Sequence, residues 1–215
     1  MARLDIPWQK TQEIAPKGVV TGEAAEATEA AAKSVAERPM WIFVTGDASD
    51  DTMRKLEDVV FKNEKVGIAA KLFRCVKMAE VDAAADRVVK SAGRGTPRMV
   101  FLRRDYTVHT VLDAGKMSAS SILKAMKALS AQTYENNFDT LLKEYAGLLN
   151  ELDRLDSVRK KLETDKARLE GDKNPAKLKK YERDLKEFED QSNAWNASEQ
   201  KLLAFRAKGE KSPEA

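Results

Sequence analysis

Short apolar runs bounded by Gly, Pro and acidic residues alternate with amphipathic stretches over the first 130 or so positions. Beyond that, apolar residues recur at steps of three and four almost to the end of the chain, so two kinds of structure are predicted in series. Met40–Thr45 (MWIFVT), aromatic and β-branched in one run, predicts a buried strand. Positions 50–62 predict a helix with Met53, Leu56, Val59 and Val60 on one face. A second buried strand is predicted at 70–76, a helix at 81–91 and a third strand at Arg98–Leu102. Arg103-Arg104-Asp105-Tyr106 makes a turn, and 107–112 alternates like an edge strand. Ser118 then caps a helix that turns Ile122, Met126 and Leu129 inward. Ahead of these elements, Pro7, Pro16, Gly18 and Gly22 break up residues 1–23, where Trp8 and Ile14 are docking side chains. Positions 24–36, rich in Ala with Glu and Lys, form a helix that ends at Arg38-Pro39, because proline disfavours helix in the residue before it.

Two features carry chemistry. The strand at Met40–Thr45 runs through Gly46 into an acidic loop, Asp47-Ala48-Ser49-Asp50-Asp51, and then a helix. Some fifty residues later Gly95-Thr96-Pro97 precedes another apolar strand. This pairing, with a tryptophan and an Ala/Glu/Lys helix ahead of it, resembles the thioredoxin superfamily over roughly residues 8–130. The resemblance implies an α/β thioredoxin-like fold, a cis proline at Pro97, and a Cys-x-x-Cys motif at the start of the helix. In such enzymes the helix N-terminus lowers the pKa of the first cysteine, and the second cysteine resolves the mixed disulfide. Here Asp50-Asp51-Thr52-Met53 stands in that place. Asp50 and Met53 replace the two cysteines, Asp50 as a helix cap and Met53 as a core residue, and neither forms a thiolate. Dithiol oxidoreductase chemistry is therefore unsupported, and no catalytic residue or cofactor is expected. Cys75 falls mid-strand, where a buried thiol behaves as a small hydrophobe; a one-cysteine redox protein is the minor alternative. The resemblance also makes Gly95, Thr96 and Pro97 a candidate peptide-binding edge, since strand addition beside a cis proline needs no cysteine. Arg94 and Arg98 flank that loop and are expected to pair with the acidic one. Asp47, Asp50 and Asp51 lack the spacing of a calcium loop. His109 has no triad partner nearby and is expected to face solvent.

From Phe138 onward, Leu141, Tyr145, Leu148, Leu152, Leu155, Leu162 and Leu169 form one apolar seam. Leu178, Tyr181, Leu185, Phe188, Ser192, Trp195, Glu199 and Leu202 repeat the same spacing. Gly171, Asp172, Lys173, Asn174 and Pro175 stop one helix and start the next. So short a link makes the helices antiparallel neighbours, a coiled-coil hairpin about 45 Å long at 1.5 Å per residue. Folding about the turn sets Leu169 against Leu178, Leu162 against Leu185, Leu152 against Trp195 and Tyr145 against Leu202. Lys166 then faces Tyr181, and Arg159 faces Phe188. This register leaves little of the seam open. Tyr145 and Trp195 are read as internal packing, and the five turn residues as the candidate partner contact.

Composition agrees with this division. Of 215 residues, 42% are hydrophobic and 34% charged, the latter more than a compact domain carries and in keeping with an extended helical part. The net charge of +3, from 38 basic and 35 acidic residues, argues against dedicated nucleic-acid binding. No apolar run is long enough for a membrane span. A single cysteine excludes an intramolecular disulfide, and one Cys with one His excludes a Cys/His zinc site within the chain. The start has no signal-peptide core, which suits a cytoplasmic protein or one exported with its leader removed. The expected organisation is an irregular segment at 1–23, a thioredoxin-like domain at 24–133, the hairpin at 134–208 and a disordered tail at 209–215. The expected role is a redox-inactive adaptor or structural subunit acting through its arm, with a protein partner, a larger assembly or a homo-oligomer. The alternative is a chaperone-like protein that binds peptides at the Gly-Thr-Pro loop.

Overall fold

The computed structural model describes residues 4–10, 38–46, 51–169 and 174–208. The predicted helix at 24–36, the acidic residues 47–50 and the tail at 209–215 lie outside them. The chain divides into two compact units, Met1–Asp139 with Arg206–Ala215, and Thr140–Phe205.

The first unit is built on a five-stranded mixed sheet. Its strands are β1 (Gln9–Lys10), β2 (Met40–Thr45), β3 (Arg74–Ala79), β4 (Arg98–Leu102) and β5 (Val108–Asp113), in the order β1-β3-β2-β4-β5. The first three run parallel, while β4 and β5 are antiparallel to their neighbours. With the cis Thr96–Pro97 bond ahead of β4, this is a thioredoxin-like arrangement. Alternation along β2 sends Met40, Ile42 and Val44 to one face, where they cluster with Val76, Met78, Val100 and Leu102 under Ala83 and Val89. Trp41 and Phe43 go to the other face. There Trp41 pairs across the sheet with Phe101, rings stacked at 6.1 Å, and Trp8 packs at 4.9 Å from Trp41 and 5.3 Å from Phe61. Half-buried against these rings, Trp8 is a docking residue for a segment that also supplies β1. That short strand is absent from the sequence reading, because two residues carry no period of their own.

Three helical expectations change. Helix α1 (Asp51–Lys55) continues as a π turn, Leu56–Val60, closed by the Phe61 N–H donating to the Leu56 carbonyl. The wider turn rotates Val59 outward, to 68% exposure, and brings Phe61 in against Trp8, Trp41 and Phe43. Helix α2 (Glu64–Ala70) occupies the start of the strand predicted at 70–76 and delays β3 to Arg74. Asn63 starts α2, its side chain accepting from the Lys65 and Val66 amides. The helix predicted at 81–91 is two helices, α3 (Glu80–Ala85) and α4 (Arg87–Ser91). Asp86 leaves the helical conformation between them and caps the second through the Val88 and Val89 amides.

Helix α5 (Ala119–Thr133) starts at the Ser118 cap, with Ile122, Met126 and Leu129 fully buried. The unit does not end there. The Tyr134 hydroxyl donates to the buried Leu72 carbonyl at 2.9 Å. Residues 206–208 return to pair with this segment: Ala207 bridges Tyr134, the Glu135 amide donates to the Arg206 carbonyl, and the Lys208 amide donates to the Thr133 carbonyl. Lys208, counted with the hairpin in the expected organisation, is held in the first unit.

The second unit is an antiparallel helical hairpin made from α6 (Phe138–Leu169) and α7 (Pro175–Leu203). Its register differs from the expected one by about a helical turn. Trp195 Nε1 donates to the Leu148 carbonyl at 2.8 Å instead of facing Leu152, and the Tyr145 hydroxyl bonds Glu199 instead of facing Leu202. Farther along, Arg154 donates to Gln191. Matching apolar positions alone omits the need of an indole N–H and a phenol O–H for acceptors once they are covered. Arg159, expected opposite Phe188, pairs its guanidinium with Asp156 at 3.3 Å. Among the described residues no helix is long and apolar enough to cross a membrane.

Candidate functional site

Gly95 is exposed, Thr96 half-buried and Pro97 buried. Gly46, just after β2, faces their peptide: a Cβ there would stand 3.3 Å from the Pro97 nitrogen, so the missing side chain lets the two segments pass closely. Arg98, 2% exposed, turns its guanidinium back under the loop. Nη1 donates to the Gly95 carbonyl at 2.8 Å, Nη2 reaches the Val89 carbonyl at 3.5 Å, and Nε is buried without an acceptor among the described residues. Burial lowers the pKa of this group, against the opposing pull of Glu80 and Asp113. Of the acidic loop expected to pair with Arg94 and Arg98, Asp47 and Asp50 lie outside the described residues. Asp51, the described member of that loop, pairs with Arg54 at 3.9 Å, an exposed contact contributing about 0–1 kcal/mol.

Of the two positions standing where the cysteines would be, Met53 is 6% exposed and packs as core, while Asp50 lies outside the described residues. Cys75 is 1% exposed, with Sγ 3.5 Å from the Ala70 carbonyl, and burial pushes its thiol far above the usual range. A nucleophilic thiolate needs the opposite environment. No group of three or more His, Cys, Asp or Glu side chains that could hold a metal occurs among the described residues.

A groove of about 570 Å³ lies between β5 and the start of α5, with Leu112, Met117 and Ala125 on its floor and Lys116 and Lys124 at its edge. His109 lines it half-buried, not solvent-facing as expected. Its Nδ1 has no partner among the described residues, and burial, aided by Arg103, lowers its pKa.

In the hairpin, Asn174 caps α7 by accepting from the Ala176 amide, and Pro175 is its first residue. Gly171, Asp172 and Lys173, the rest of the candidate contact, lie outside the described residues. Tyr145 is 1% exposed, and burial followed by the Glu199 contact pushes its hydroxyl far up.

No protein-family model matches the chain, and no curated protein matches it either. Among solved structures, the disulphide isomerase from Xylella fastidiosa Temecula1 is similar: 20% identical, covering 54% of this chain and 96% of that one, with a TM-score of 0.35.

Proposed function

We propose that this chain is a redox-inactive thioredoxin-like interaction protein, an adaptor or structural subunit that engages its partner through the helical arm. The observation that carries this reading is the root of the arm. The segment entering it (Thr133 to Asn136) and the segment leaving it (Arg206 to Lys208) are tied together by two backbone bonds and by the Arg206 amide donating to the Asn136 side chain at 3.1 Å. The hairpin is thus an insertion whose two ends are closed within the first unit, a discrete element set apart from the sheet that a partner can engage. Met53 as core and Cys75 as a buried thiol support the redox-inactive part.

A second reading, peptide binding at Gly95, Thr96 and Pro97, draws support from the exposure of Gly95 and the open space around it. The buried Cys75 weighs against the one-cysteine redox alternative. Affinity purification from native cells separates the first two. Ending the chain at Thr133 would remove the Tyr134 bond to Leu72, so the control replaces 140–205 with about six flexible residues between Asp139 and Arg206. Loss of a stoichiometric partner supports the arm. Many weak clients, retained without the arm and lost on changing Thr96 and Pro97, support the loop.

A further inference from the structure

The hairpin is neutral in sum but sharply polar along its length. Residues 158–186, around the turn, hold eleven Lys or Arg against six Asp or Glu, a net +5. Residues 140–157 and 187–205, where the chain enters and leaves, hold three against eight, a net −5. In the observed register Arg154 reaches Gln191, so the change of sign falls at the same level on both helices.

The seam is also less closed than its apolar spacing implies. No residue of α7 is buried: Tyr181, Leu185, Phe188, Trp195 and Leu202 are half-buried, and Leu178 is 49% exposed. Two grooves open between the helices, one across the level where the charge changes sign and one in the basic half. One, of about 310 Å³, has Val158, Leu162 and Phe188 on its floor; the other, of about 260 Å³, has Leu162, Leu169 and Tyr181, with Lys177 and Lys180 at its rim.

We infer that the arm pairs with the arm of a second copy of this chain, antiparallel about a two-fold axis at the level where the charge changes sign. That symmetry sets the basic half of each arm on the acidic half of the other, so one surface is its own complement. Aligned the other way, like charges would face each other along the whole length. A flat side of two helices, each about 10 Å across and about 45 Å long, offers roughly 900 Å² per partner, within the range of specific dimers. The acidic half contributes half-buried Leu148, Leu152 and Leu202 to the apolar strip. The inference rests on the arm being the interaction element and names what it engages.

Sedimentation of the full chain tests it. The wild type dimerises at low salt, and its dissociation constant rises about tenfold or more between about 0.05 M and about 0.5 M salt. A first variant carries Lys160→Glu, Lys161→Glu, Lys179→Glu and Lys180→Glu; a second carries Glu144→Lys, Glu151→Lys, Glu189→Lys and Asp190→Lys. All eight positions are exposed. Each variant alone is monomeric, since both halves of its arm then have one sign, and an equal mixture of the two restores a dimer. If either variant fails to fold, the salt dependence of the wild type together with the other variant decides the question. A wild type monomeric at low salt, or a dimer indifferent to both sets of changes, overturns the inference. So does a monomer that retains heparin, which would make the basic half a polyanion site. A monomer that instead co-purifies with a different stoichiometric protein through the arm overturns self-pairing while leaving the adaptor reading intact.

Discussion

Tyr134→Phe removes one oxygen from the place where α5 ends and residues 206–208 return. At neutral pH the variant loses the hydroxyl donated to the buried Leu72 carbonyl at 2.9 Å, and the cost is about 1–2 kcal/mol, between a net hydrogen bond and an acceptor left uncovered. Alkali adds a second signature. Burial raises the Tyr134 pKa to about 12, whereas an unfolded tyrosine titrates near 10. Because the folded state holds its proton more tightly, the wild type has this stability in full below pH ~10 and loses it as pH rises toward ~12, about 2.7 kcal/mol for two pKa units. The phenylalanine variant has no such group. Urea unfolding at a series of pH values should therefore show the wild type ahead by about 1–2 kcal/mol at neutral pH. The gap closes above pH ~10, and the curves cross near ~11. Tyr145 and Cys75 titrate in both proteins and cancel in the difference. A gap that stays constant up to pH ~11 would refute the reasoning, since it would mean the hydroxyl ionises equally well folded and unfolded.

Trp195→Phe keeps a ring on the seam but drops the N–H to the Leu148 carbonyl; helical melting should show a loss of about 0.5–1.5 kcal/mol, and no change would return the hairpin to the register with Leu152 opposite. Cys75 in the folded protein should react with thiol reagents at least about a hundredfold slower than in urea, and equal rates would contradict its burial. His109 has a folded pKa below its unfolded value, so stability should fall as pH drops below about 6.5 and the unfolded state takes up the proton first. His109→Gln should shrink that acid loss, and an unchanged slope would place the imidazole in open water.

Much of the first unit was legible because its strands carry their own signal. Met40–Thr45 and Arg98–Leu102 lie where their apolar runs put them, and Ser118 caps α5 as its position predicts. What escaped was set by tertiary packing or by single side chains. Asn63 and Asp86 are ordinary N-caps whose signals were readable, and weighing them would have started α2 after Asn63 and split 81–91. The π turn that expels Val59 has no such mark. The same holds for β1 and for the return of 206–208, which depend on partners far away in sequence. At the Gly-Thr-Pro loop, residue types placed the cis proline, but not the inward turn of the Arg98 guanidinium to the Gly95 and Val89 carbonyls. In the arm, spacing identified both helices and the restart at Asn174-Pro175. The register was decided by two polar atoms, Trp195 Nε1 and the Tyr145 hydroxyl, that a count of apolar positions leaves out.

The central claim is that the arm, not the loop beside the cis proline, meets the partner. Site-specific photo-crosslinking in native cells tests it most directly, with the probe placed at exposed Leu178 in one protein and at Thr96 in another. The account predicts a discrete adduct from position 178 and none above background from position 96. A discrete adduct at Thr96 with none at Leu178 would contradict it.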